Sequence, residues 1–136
     1  MIVIDTSVAV KWTVPEKDTG AALKLIGQPL TAPDLFVVEL GHALTKKVRM
    51  REIPEEVAAA AFVEIPAHVI LAESRALDHR AFELAVQLRH SIYDCYFLAL
   101  AEAAEAELIT ADEVFVRKLR DVDAGSRVRL LSESAA

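Results

Sequence analysis

Cysteine is almost missing from this chain: Cys95 is the only one in 136 residues. A lone thiol excludes an internal disulfide and any zinc site built from several cysteines. The apolar run that follows it marks Cys95 as an inert buried residue rather than an exposed nucleophile. Glycine is scarce as well, with four residues and neither Gly-rich phosphate-binding pattern, so a nucleotide cradle is excluded. Mean hydropathy is +0.31, yet no uncharged apolar run approaches the roughly 18 residues that span a bilayer. No basic leader precedes Ile2-Val3-Ile4, which leads to the expectation of a cytoplasmic protein. An excess of positive charge is lacking too. Fifteen Lys and Arg stand against 21 Asp and Glu, a net charge of −6, which argues against a general nucleic-acid coating protein. A nuclease remains open, because its acids can gather at a metal ion and be neutralised there.

What is present fits one folded domain covering residues 1–136, with 54% hydrophobic and 26% charged residues. Short apolar runs predict strands over residues 2–4, 30–32, 68–71, 108–109 and 128–131. Helices are expected between them. Thr6 or Ser7 caps one that runs to about Val14 and stops at Pro15; a second covers residues 18–26 and ends at Gly27. Residues 35–50 set Phe36, Leu40, Ala43, Leu44 and Val48 on one stripe. Pro54 and two acids open a helix to about Glu64. Residues 77–89 carry the stripe Leu77, Ala81, Leu84, Ala85 and Leu88; residues 91–106 are apolar on most faces and read as the central helix. A last helix covers residues 113–120, and Ser132 onward reads as a frayed tail. Strands alternating with helices predict an α/β fold, a parallel sheet flanked by helices on both faces. In such sheets ligands bind beyond the carboxyl ends of the strands.

Four acids occupy telling positions. Asp5 closes the first strand, Asp112 follows Leu108-Ile109-Thr110-Ala111, Asp94 opens the central apolar helix, and Glu39 sits inside Leu35-Phe36-Val37-Val38-Glu39-Leu40. Each has an ordinary explanation. Asp5 and Asp112 suit helix N-caps, Ser91-x-x-Asp94 resembles a capping box, and Glu39 fits an exposed helix face. Together they suggest more, since isolated buried carboxylates are costly unless paired, hydrogen-bonded or metal-bound. Mg²⁺ or Mn²⁺ prefers such oxygen ligands, and two ions roughly 4 Å apart can assist phosphodiester hydrolysis without a histidine.

Ile4-Asp5-Thr6-Ser7, the Pro33-to-Glu39 segment, Tyr93-Asp94-Cys95-Tyr96-Phe97-Leu98-Ala99-Leu100-Ala101 and Leu108-Ile109-Thr110-Ala111-Asp112 resemble the motifs of PIN-domain ribonucleases. Their order and compact spacing, from Met1 to about Leu131, are similar to those of VapC toxins of bacterial toxin–antitoxin pairs. The resemblance implies that Asp5, Glu39, Asp94 and Asp112 are catalytic, metal-binding acids for Mg²⁺ or Mn²⁺, with Thr6, Ser7 and Thr110 as supporting polar neighbours. It further implies an RNA substrate, a VapB-type antitoxin partner and a homodimer. A PIN-like RNA-processing nuclease outside such a pair is the neighbouring alternative.

The basic residues Lys46, Lys47, Arg49 and Arg51, and Arg117, Lys118 and Arg120, suit helix C-termini; the other reading of Lys46, Lys47, Arg49, Arg117 and Lys118 is contact with RNA phosphates. His68, His79 and His90 lack ligand spacing and read as surface or capping residues. Glu39-Leu40-Gly41-His42 has the Glu-x-x-His spacing of di-iron bundles, but those need two copies. Trp12 reads as a packing residue. From other classes, a receiver-like domain needs an acidic pair after the first strand where Asp5 stands alone, and a pure interaction module has no use for four convergent acids.

Overall fold

The computed structural model describes residues 1–134. Five strands form one parallel sheet in the order β3-β2-β1-β4-β5: β1 is Ile2–Ile4, β2 Leu30–Pro33, β3 Ile70–Ala72, β4 Glu107–Thr110 and β5 Val128–Leu130. The helices are α1 (Thr6–Ala9), α2 (Thr19–Leu23), α3 (Leu35–Arg49), α4 (Glu55–Glu64), α5 (Asp78–Leu88), α6 (Ile92–Ala104), α7 (Glu113–Lys118) and α8 (Leu131–Ser134). The α/β class and the alternation of strands and helices agree with the sequence pattern.

Several boundaries differ from it. The first helix is broken: α1 ends at Ala9 and a 3-10 turn, Val10–Trp12, follows. The β-branched Val8, Val10 and Val14 and the following Pro15 weaken a continuous helix there. Trp12 is half-buried and its indole N–H donates to the Ala22 carbonyl at 2.7 Å, which supports the packing role. The stretch up to Ile26 is helical only over α2, yet Gly27 does take the left-handed conformation, with φ 96°. The third strand starts two residues late, with His68 in the preceding 3-10 turn. At the far end, the expected tail begins as helix α8, because Leu131 is fully buried and anchors that turn. Residues 135 and 136 lie outside the described residues.

Chain order explains the position of the site. The path steps outward from β1 to β2 and β3, then crosses back over β1 to β4 and on to β5. Right-handed crossovers therefore put α1 to α4 on one face and α5 to α7 on the other. Strand order reverses between β1 and β4, and the crevice beyond their carboxyl ends is the switch point. The register aligns Ile4 with Ile109, and the Asp5 amide continues the ladder by donating to the Ile109 carbonyl at 3.0 Å. Asp5 is thus fixed at that crevice by the sheet itself.

The core explains why two helices are rigid supports. In α6, Cys95, Phe97, Leu98, Ala99, Leu100 and Ala101 are all buried. In α3, Phe36, Leu40 and Leu44 are buried, the predicted stripe. The start of α3 is tied down from outside: Asp34 Oδ1 accepts from the Ser74 amide at 3.1 Å, and Ser74 Oγ accepts from the Leu35 amide at 3.0 Å. Gly41 permits close packing of α3 on α4, since a Cβ there would meet Phe62 Cε1 at 3.1 Å.

Candidate active site

Asp5 is buried, at 8% exposure, and its environment is built around a negative charge. Ser7 Oγ donates to Asp5 Oδ2 at 2.6 Å, and Thr110 Oγ1 donates to the same oxygen at 3.0 Å. Each hydroxyl is itself oriented by a backbone amide. Ser7 Oγ accepts from the Ala111 amide and Thr110 Oγ1 from the Asp112 amide, both at 3.1 Å. Each hydroxyl accepts from one amide and gives its single proton to Asp5. Even so, burial pushes the Asp5 carboxyl up to about 6, and the neighbouring charge of Asp94 adds to the rise.

Glu39 enters from the second turn of α3. Contrary to the exposed-face reading, it is only partly accessible, and Thr6 Oγ1 donates to its Oε1 at 3.1 Å. Burial raises its carboxyl to about 7, and the charges of Asp5 and Asp94 push in the same direction. Asp94 sits in the first turn of α6, where the helix N-terminus favours an anion. The predicted capping box is not formed: Ser91 is the N-cap residue but makes no side-chain cap bond. Asp94 Oδ2 instead meets His90 Nε2 at 2.5 Å.

The acids thus divide into three and one. The charge of Asp94 bears on both Asp5 and Glu39, and that of Asp5 on Glu39. Asp112 shares the sheet edge, but its Oδ1 accepts from the Val114 and Phe115 amides at 3.0 and 3.1 Å and caps α7. It does not figure among the charges that shift Asp5 or Glu39. Its link to Asp5 is indirect, through Thr110.

Among the described residues, no Lys or Arg pairs with Asp5, Glu39 or Asp94. Nor are three His, Cys, Asp or Glu side chains gathered there into a ready-made metal cage. The donors are all oxygen and no Lys or Arg neutralises them, which suits a hard divalent cation that retains much of its water. A pocket of about 560 Å³ opens beside Glu39, lined by Thr6, Val38, Glu39, His42, Ala43 and Tyr93. A second Glu-x-x-His pair does not exist in this sequence, so the di-iron reading has no support.

The basic residues fare unevenly. Lys47 is committed to Glu16 and Glu52, both at 3.4 Å, and does not offer a free charge. Lys118 lies over His90, with Nζ 3.2 Å from Nδ1. Lys46, Arg49 and Arg117 are exposed and form no ion pair among the described residues. The reading of His90 as a surface or capping residue is corrected: its side chain is 11% exposed and its ring packs on Phe115 at 4.6 Å. The i,i+4 spacing of His90 and Asp94 at a helix start was the available signal. Cys95 is buried and its thiol is pushed up to about 11 by desolvation, in keeping with an inert residue.

Three likenesses to known proteins accord with this arrangement. Over 83 residues the chain is 39% identical to Ribonuclease VapC1 of Mycobacterium tuberculosis, an alignment spanning 60% of this chain and 61% of that protein. Its fold matches PAE2754 from Pyrobaculum aerophilum with TM-score 0.73 at 19% identity, over 98% of this chain and 92% of the other. It also matches a chain of a toxin–antitoxin complex from Klebsiella pneumoniae with TM-score 0.67 at 14% identity, over 96% and 98% of the two chains. The PIN domain family matches residues 2–120, most of the chain. The protein belongs to the PIN-domain family.

Proposed function

We propose that the protein is a metal-dependent endoribonuclease, the toxin of a toxin–antitoxin pair, in which Asp5, Glu39 and Asp94 hold Mg²⁺ or Mn²⁺. The observation that carries this reading is the presence at the switch point of the sheet of two acids raised by burial, Asp5 and Glu39, both raised further by the charge of Asp94, with no Lys or Arg among the described residues paired to any of the three. A bound divalent cation supplies Lewis-acid polarisation of a phosphoryl oxygen and lowers the pKa of bound water. The chain's own groups do the rest. Ser7 and Thr110 fix Asp5, and Thr6 fixes Glu39 Oε1. Glu39 Oε2, with no partner among the described residues, is the oxygen that would face the cation. Asp112 is assigned to the outer edge of the site, where its Oδ1 caps α7 and its Oδ2 would be left to help hold the cation. Lys46, Arg49 and Arg117 are the cations available to RNA phosphates.

The similarity to Ribonuclease VapC1 supports the RNA substrate. The fold of the toxin–antitoxin complex supports a VapB-type partner. A groove between α3 and α4, about 560 Å³ and lined by Gly41, Leu44, Val48, Ala58 and Phe62 among others, is assigned to that partner. Val38 and Val63 are exposed on the same helices, outside the groove lining, and support the expected homodimer. No helix among the described residues is long and apolar enough to cross a membrane, and a cytoplasmic site of action is part of the proposal.

The test uses purified protein and labelled single-stranded RNA. Cleavage should appear with Mg²⁺ or Mn²⁺ and stop in chelator. Undiminished cleavage in chelator, or none with either metal, would contradict the proposal.

A further inference from the structure

His90 is held against Asp94 by contacts on both ring nitrogens, and no catalytic task has been given to it. It follows α5, whose end is marked by the left-handed Arg89, φ 52°, and precedes α6, where Asp94 sits. Four contacts fix it. Its amide donates to the Ala85 carbonyl at 3.2 Å, and its ring lies on Phe115, tilted by 32°. Its Nε2 meets Asp94 Oδ2 at 2.5 Å, and its Nδ1 faces Lys118 Nζ at 3.2 Å. Lys118 is positioned in turn by the Arg89 carbonyl, 3.0 Å from its Nζ.

These contacts determine the tautomer. An ammonium group only donates, so Nδ1 must accept and carries no proton. The proton is then on Nε2, which donates to Asp94. The ring occupies one oxygen of Asp94 and leaves Oδ1 without a hydrogen-bond partner among the described residues. Carboxylates that ligate metals are commonly held in this divided way, one oxygen for the cation and one for a supporting donor.

We infer that Lys118, His90 and Asp94 form a relay that aims Asp94 Oδ1 at the cation, with His90 as a positioning residue. The inference rests on the proposed metal site and deepens it. It also removes Lys118 from the RNA-contacting set, because its ammonium is spent on His90 and on the end of α5. Lys118 ties α7, whose start Asp112 caps, to the junction of α5 and α6 and, through His90, to Asp94.

The experiment measures Mn²⁺ affinity of the full chain by electron paramagnetic resonance of free Mn²⁺. His90→Phe keeps the ring stack on Phe115 and removes both hydrogen bonds; affinity should fall about tenfold or more. His90→Gln restores a donor to Asp94 and should bind within about threefold of wild type. Lys118→Met keeps the ring and removes its anchor, and should fall between them. Nitrogen chemical shifts of wild type should show His90 protonated on Nε2 and bare on Nδ1. Wild-type affinity in both His90→Phe and Lys118→Met, tighter binding by His90→Phe, or the opposite tautomer would overturn the relay. If His90→Phe does not fold, Lys118→Met and the tautomer decide. Asp5→Asn is the control for the underlying reading: absence of Mn²⁺ binding by wild type, or no loss in Asp5→Asn, would overturn the metal site and the relay with it, whereas normal wild-type binding with an inert His90 overturns the relay alone.

Discussion

Asp5 and Asp112 stand beyond the ends of neighbouring parallel strands, and the folded chain treats them in opposite ways. Asp112 spends one oxygen on two backbone amides of α7, so its charge is answered locally by the helix start. Asp5 also begins a helix but makes no cap bond with its side chain. It is drawn into the crevice by Ser7 and Thr110, towards Glu39 and Asp94 rather than away from them. The difference teaches that an acid after a strand is a cap or a ligand according to what lies across the crevice. Beyond β1 lie two more carboxylates; beyond β4 lies the first turn of α7.

The strongest way to break that comparison is to neutralise each acid with least disturbance. Asp5→Asn should lower RNA cleavage by about 100-fold or more, since metal-assisted charge stabilisation is worth several kcal/mol. Asp112→Asn should lower it far less, because Asn caps a helix as well as Asp does. Initial rates on labelled RNA decide this, and equal losses would make Asp112 a ligand of the same rank as Asp5.

Stability against pH separates the two sites next. The folded carboxyls of Asp5 and Glu39 lie at about 6 and about 7, above their ordinary values of 3.8 and 4.5. A raised carboxyl favours folding while protonated, so this contribution is full below about pH 4 and is lost as pH rises through 6 and 7. Asp34 has the opposite sign, being held low by Ser74, but it acts at more acid pH. The metal-free protein should therefore lose roughly 2 kcal/mol or more between pH 5 and 8, and Asp5→Asn should flatten part of the slope. Denaturant unfolding at the two pH values with chelator present measures it. Added Mn²⁺ should restore stability at pH 8.

A smaller effect tests the cap. Asp112→Ala should cost about 1 kcal/mol, a fall in melting temperature of about 3 °C, and Asp112→Asn should restore it. The smallest is Thr6→Val, which removes the donor to Glu39 Oε1 and should cost under about 1 kcal/mol at pH 8, with a further rise of the Glu39 carboxyl that carbon NMR titration reads.

The parts of this architecture that local pattern controls were legible. The α3 stripe of Phe36, Leu40 and Leu44 and the uniformly apolar α6 follow from helical period and length. The placing of Asp5 at the edge of the sheet follows from a strand ending at Ile4. The break after Ala9 was not legible as a break, because single valines shift helix propensity only slightly and Trp12 finds its partner at Ala22 through tertiary packing. The clamp between Asp34 and Ser74 joins residues 40 apart, with no trace in either neighbourhood. The setting of His90 is hidden in the sequence for the same reason in part. Its contact with Asp94 is local, but Phe115 and Lys118 reach it from another helix, and they turn an ordinary histidine into a fixed one. Order and type of acid were readable; the division of three against one depends on where each carboxylate finds its hydrogen-bond donors.

A Mn²⁺-soaked crystal tests the central claim most directly. Anomalous scattering should show an ion at the crevice, within direct coordination distance of Asp5 and Asp94 and beside Glu39, with Asp112 still capping α7. An ion bound by Asp112 without Asp5, or no ion in the crevice at a Mn²⁺ concentration that supports RNA cleavage, would contradict the account.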